Sequence, residues 1–303
     1  ILLPKLIFWA DYRFFFCINF LTLTLSLVCQ CLSLFLCWHV WRASTLPRWL
    51  QYSLFAGFIA LLFNAGQLFN FLYAMDVQWF MANIFALIAI ILVTQTSNGK
   101  NYSAALIFAI LASLCNFTGL MAVILLVIYG YFYHRKHNNI NYCALAIIAA
   151  VYTLWYVNTG KSSENLILNG FTSSRSLAEL AFQTINTLTN IVPFVLKMLS
   201  NPFSRDFPLV GSALALISIV FLCQQTWQIK RAPSTAKHVA IIWCWYIFLG
   251  CAFTALGRIL YPNSATAERY LTLTLPYTLL IISLLWLQCR NDKTQRIAGL
   301  ITI

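Results

Sequence analysis

The sequence predicts an all-α fold, a polytopic transmembrane helical bundle of about nine spans. Two observations lead there. The first is composition: 61% of the 303 residues are hydrophobic and only 9% are charged. A water-soluble domain carries about 25% charged residues and needs them to cover its surface. The second is patterning. Apolar runs free of Asp, Glu, Lys and Arg recur along the chain, most of them near the roughly 20 residues that cross a bilayer.

Those runs are Phe14–Trp41, Trp49–Phe63, Val77–Thr94, Tyr102–Tyr133, Ile140–Val157, Leu209–Trp227, Val239–Leu256 and Leu271–Cys289. Trp49–Phe63 reaches span length by drawing on Asn64–Phe71. Tyr102–Tyr133 is too long for one span. Asn116 and Gly119 interrupt its middle, so it divides into two short helices with a break between them. Eight runs with one divided give nine spans.

The connecting loops set the orientation. His39–Arg48, Ser97–Asn101, His134–Asn139, Gln228–His238 and the tail hold Arg42, Arg48, Lys100, Arg135, Lys136, Lys230, Arg231, Lys237, Arg290, Lys293 and Arg296. Placing these loops in the cytoplasm puts eleven of the 19 Lys and Arg residues inside, as the positive-inside rule requires. The expected C-terminus is cytoplasmic. The net charge of +12 is spread between apolar runs, which suits membrane anchoring and excludes a nucleic-acid face.

Residues 158–208 are expected as one external excursion. Within it, Ser176–Leu199 has Leu177, Leu180, Leu188, Ile191, Val195 and Leu199 on one helical face and Gln183, Asn186, Asn190 and Lys197 on the other. Ser176 and Glu179 form a capping box, and Pro193 predicts a kink. This is an amphipathic helix at the outer surface, not a span. The same parity places Ile1–Arg13 outside. An external start implies an upstream span, so the chain is expected to be a fragment lacking that span and its first external loop. The whole of 1–303 is otherwise one transmembrane domain.

The ten cysteines fall mostly inside apolar runs, without a CxxC pair, and act as small hydrophobes. His39, His134, His137 and His238 sit beside basic residues on the inner side, so no metal site is expected. No cofactor is indicated, a divalent cation included.

Chemistry must come from the outer face. Gly257–Tyr270, GRILYPNSATAERY, carries two arginines on the side where arginine is scarce. Arg258 and Arg269 each stand within two residues of a span, at headgroup depth, where a guanidinium grips a phosphate in bidentate fashion. The plainer roles are snorkelling to lipid headgroups and an Arg269–Glu268 ion pair. Tyr270 can donate its hydroxyl to the same phosphate or serve as a belt residue. Asp11 and Asp76 are the candidate carboxylates, as general base, as ligand of a cation, or simply as helix-end charges. Asn116 and Asn70 can bond a sugar hydroxyl or a frayed helix end.

The segments ILLPKLIFWAD, QLFNFLYAMDVQWFMANIFALIAI at Gln67–Ile90, LASLCNFTGL at Leu111–Leu120, KMLSNPF at Lys197–Phe203 and ALGRILYPNSATAERY at Ala255–Tyr270 occur in this order. Together they resemble a group of bacterial polytopic membrane proteins similar to GT-C-type glycosyltransferases. The resemblance implies sugar transfer from a polyprenyl-phosphate donor to a lipid, glycan or protein acceptor on the outer face. It implies that Gly257-Arg258 and Arg269-Tyr270 hold the donor phosphate and that the principal acidic base lies in the first external loop. Lys5 stands where the family has arginine after Pro4, which keeps the charge and loses the bidentate fork. Glu268 stands where a small residue is usual. The partners implied are the lipid-linked sugar and the membrane itself. A lipid or glycolipid transporter and a non-catalytic membrane subunit are the alternatives. A conduit calls for strongly polar residues in mid-span, whereas Asn19, Gln30, Asn83 and Gln224 are mild.

Overall fold

The computed structural model describes residues 2–15, 19–44, 46–63, 76–95, 99–133, 145, 189–201, 206–228, 235–258 and 270–288. Ten helices and no strand occur among them. They are α1 (Leu2–Phe15), α2 (Phe20–Arg42), α3 (Arg48–Leu62), α4 (Val77–Gln95), α5 (Gly99–Cys115), α6 (Gly119–Tyr133), α7 (Thr189–Leu199), α8 (Pro208–Gln228), α9 (Thr235–Arg258) and α10 (Leu271–Gln288). Four of these are long and apolar enough to cross a membrane: α2, α4, α8 and the Thr235–Ala255 part of α9. At 1.5 Å per residue, the 23 residues of α2 extend about 35 Å, enough for a hydrocarbon core of about 30 Å. The apolar stretches of α5, α6, α7 and α10 are shorter.

Contacts at the helix ends define two poles. At one pole, the end of α1 meets the start of α2 through Asp11 and Thr22. Val77 at the start of α4 and Cys115 at the end of α5 share a small apolar cluster with Ile7, Phe8 and Leu25. Trp79 of α4 meets Tyr270 before α10, and Phe117 before α6 meets Phe253 of α9. At the other pole Trp49 of α3 meets Trp286 of α10, and Tyr129 of α6 lies 3.5 Å from His238 of α9. Helices consecutive in the chain, from α1 to α6 and again α9 and α10, therefore alternate in direction.

The core is centred on α4, which packs most extensively on α5 and also on α2, α6 and α9. A helix that is apolar all round is a buried helix. Ala82, Ala86 and Ala89 are fully buried and let neighbouring backbones approach closely. Mid-bundle, the Tyr246 hydroxyl of α9 donates to Asn83 Oδ1 of α4 at 3.2 Å.

The expected break in Tyr102–Tyr133 is present: α5 ends at Cys115 and α6 begins at Gly119. Only glycine fits at 119, because a Cβ there would overlap the Ala112 carbonyl of α5. At the far end of this hairpin the Tyr102 hydroxyl donates to the Leu126 carbonyl, and Gly130 leaves room for the tyrosine ring.

Three expectations about bounds are corrected. The run Phe14–Trp41 is not one element, since Phe14 and Phe15 end α1 and the next helix begins at Phe20. Asn19 between them is left-handed, with φ 57°. Ile1–Arg13, expected as an external segment distinct from the run that follows, does not end at Arg13, because Leu2–Phe15 is one helix that packs on α2, α4 and α5. Lys237 and His238 are not loop residues but lie in the first turn of α9, with Lys237 buried. Of the amphipathic helix, Thr189–Leu199 is described, and it buries Phe194, Val195, Met198 and Leu199 in the main core. Residues 176–188 and, apart from Leu145, the run Ile140–Val157 lie outside the described residues.

Candidate functional site

The pole where α2, α4, α6 and α10 begin holds Asp11, Asp76, Asn116 and Tyr270. Asp11 is 2% exposed, although it is charged. Burial of a carboxylate requires partners, and α2 supplies them. The Leu21 N–H donates to Oδ1 at 3.3 Å and the Thr22 N–H to Oδ2 at 3.2 Å. The Thr22 hydroxyl, with one proton to give, sits 3.0 Å from Oδ2 and 2.9 Å from the Asn19 carbonyl. Asn19 occupies the N-cap position of α2 but makes no side-chain cap. Asp11 therefore caps α2 from another helix. An N-cap contributes about 1 kcal/mol, and a carboxylate at the positive end of a helix dipole adds about 0.3–1 kcal/mol. Both oxygens are occupied in this task.

Asp76 precedes α4 by one residue and is half-buried. A carboxylate there also opposes a helix N-terminus. Asn116 is buried and turns the chain between α5 and α6. Its Oδ1 accepts the Thr118 N–H at 3.3 Å, and its carbonyl accepts the Gly119 N–H at 2.9 Å. This is an Asx-type turn, which spends the side chain locally.

Tyr270 is 2% exposed, with its ring edge-on to Trp79 at a centroid distance of 5.9 Å. It packs as a core aromatic at the mouth of α10. Arg258 is the last residue of α9. Arg269, Glu268 and Asn70 lie outside the described residues, as does the rest of the 259–269 loop. Lys5 is exposed on α1.

The structure thus brings Asp11, Asp76, Asn116, Tyr270 and the Arg258 end of α9 to one pole. It leaves Lys5 on the outside of α1. Among the described residues no three His, Cys, Asp or Glu side chains converge as a metal site. Two features were not visible in the sequence, the Asp11–α2 cap and the Asn83–Tyr246 bond. Each depends on which helices pair, and no local motif announces it.

No family model, no curated protein and no solved structure matches this chain.

Proposed function

We propose that this chain is a GT-C-like membrane glycosyltransferase, moving a sugar from a polyprenyl-phosphate donor to a lipid, glycan or protein acceptor at the outer face of the bacterial inner membrane. In this reading the chain crosses the membrane nine times and its C-terminus is cytoplasmic. The observation that carries it is the position of the arginine-rich loop. Gly257 and Arg258 close α9, Tyr270 opens α10, and the loop between them joins two helices at the pole that also holds Asp76 and Asn116.

An anion is favoured at such a place for two reasons. The positive end of the α10 dipole faces the loop. Arg258 and Arg269 lie eleven residues apart in the sequence, and a guanidinium can grip a phosphate in bidentate fashion. Arg258 and Arg269 are assigned to the donor phosphate, whose charge grows as the sugar–oxygen bond breaks. Groups that stabilise a leaving anion in a water-poor site lower a barrier by about 3 kcal/mol each. Asp76 is assigned to the acceptor hydroxyl. Asp11 is assigned to holding α2, since both its oxygens are already bonded. Tyr270 packs on Trp79 at the start of α10.

The test is sugar transfer in membranes by the full-length protein carrying Arg269→Ala. Turnover is expected to fall about 100-fold, the loss produced by removing one such donor. Unchanged turnover and unchanged donor affinity sink the reading. Movement of labelled lipid across proteoliposomes without bond cleavage replaces it with a transporter.

A further inference from the structure

The single acid of α1, Asp11, lies on the face packed against the bundle, and the opposite face is exposed. On that face Lys5, Trp9 and Arg13 follow at intervals of four residues, so they form one column with about 6 Å of rise between neighbours. Lys5 and Arg13 are exposed and Trp9 is 60% exposed. Leu2, Leu6 and Tyr12 flank the column and are exposed as well. No acidic side chain shares the face.

Each component fits one environment. An indole settles at the headgroup layer of a bilayer. Basic side chains beside it reach phosphates, and apolar neighbours reach acyl chains. An acidic soluble protein would satisfy the two charges but not the exposed leucines. A zwitterionic lipid has a phosphate, but its own ammonium cancels the net attraction. We propose that the Lys5–Trp9–Arg13 face of α1 is a docking surface for acidic membrane phospholipid, with phosphate seated between the two cations and acyl chain against Leu2 and Leu6. The inference needs no glycosyl donor and stands apart from the catalytic reading.

The full chain is stripped of lipid in neutral detergent and titrated with phosphatidylglycerol or phosphatidylcholine, and retained lipid is counted by native mass spectrometry. The wild type is expected to hold phosphatidylglycerol more tightly. The double variant K5Q/R13Q is expected to weaken that binding about 30-fold, each basic residue at an anionic surface contributing about fivefold, while phosphatidylcholine binding stays unchanged. Both positions are exposed, and an unchanged melting temperature in phosphatidylcholine checks the fold. The charge-keeping variant K5R/R13K is expected to restore binding. Equal phosphatidylglycerol retention by wild type and K5Q/R13Q overturns the proposal. So does displacement of bound phosphatidylglycerol by an equimolar amount of polyprenyl phosphate, which would give the face to the donor instead.

Discussion

α4 and α8 are both apolar and of similar length, 19 and 21 residues, yet they occupy opposite surroundings. In α4, 72% of the best spanning window is buried inside the protein, against 22% in α8. α4 packs on six other helices, whereas α8 leans mainly on α9 and α10. Leu209, Leu216, Ile217, Val220 and Trp227 of α8 point away from the protein. In lipid, apolarity does not drive helices together, because acyl chains are as apolar as leucine. What separates the two helices is how they are held. α4 uses buried alanines that permit close approach. α8 buries a narrow stripe of Gly211, Ala215, Leu222 and Gln225 and adds polar ties beside it. Ser218 and Tyr277 hydroxyls lie 3.0 Å apart, the Trp245 indole N–H donates to Thr226 Oγ1 at 2.8 Å, and Gln225 Nε2 donates to Gln288 Oε1.

The contrast is broken most directly in α4. Ile90 is fully buried there, and Ile90→Ala is expected to cost about 4 kcal/mol through lost contacts and a cavity. Thermal unfolding in detergent measures it. A cost below about 1 kcal/mol would mean that α4 is not the core. In the adjoining hairpin, Gly119→Ala is expected to cost about 3 kcal/mol by forcing α5 and α6 apart, seen in the same assay and as faster hydrogen exchange at the Asn116–Gly119 turn. At α8 the effects shrink. A double-mutant cycle on Ser218→Ala and Tyr277→Phe should give a coupling of about 0.6 kcal/mol, typical of a hydrogen bond between membrane helices. Smallest of all, Ile217→Ala on the outward face should change stability by less than about 0.5 kcal/mol. A larger loss there would reveal a protein neighbour for α8.

Hydropathy therefore located both helices but could not tell them apart, since it measures exchange with water and not with lipid. The α5–α6 break was legible because Asn116 and Gly119 carry a local reason to leave a helix: a side-chain turn and a close backbone approach. The α1–α2 boundary was not, because the charge-free run continues through Phe14–Phe20 and the reversal rests on one left-handed asparagine. Among site residues, Asp11 was noticed as a charge out of place. Its partner was invisible, because the Leu21 and Thr22 amides become acceptors' targets only once α1 folds back. Tyr270 looked like a wet interfacial ring from its place beside arginine. Trp79, almost two hundred residues earlier, buries it.

The Asp11 cap also bears on the order in which the chain assembles. Its bonds join positions ten and eleven residues apart, so they form at low contact order and at small loop-closure cost. α1 and α2 can pair as soon as α2 has begun, before the helices that follow them are made. The unsatisfied amides that would otherwise meet lipid are then closed from the outset. Asn83 and Tyr246 stand 163 positions apart, and their bond has to wait for nearly the whole chain. One polar contact of this bundle is an early event of biogenesis and the other a late seal.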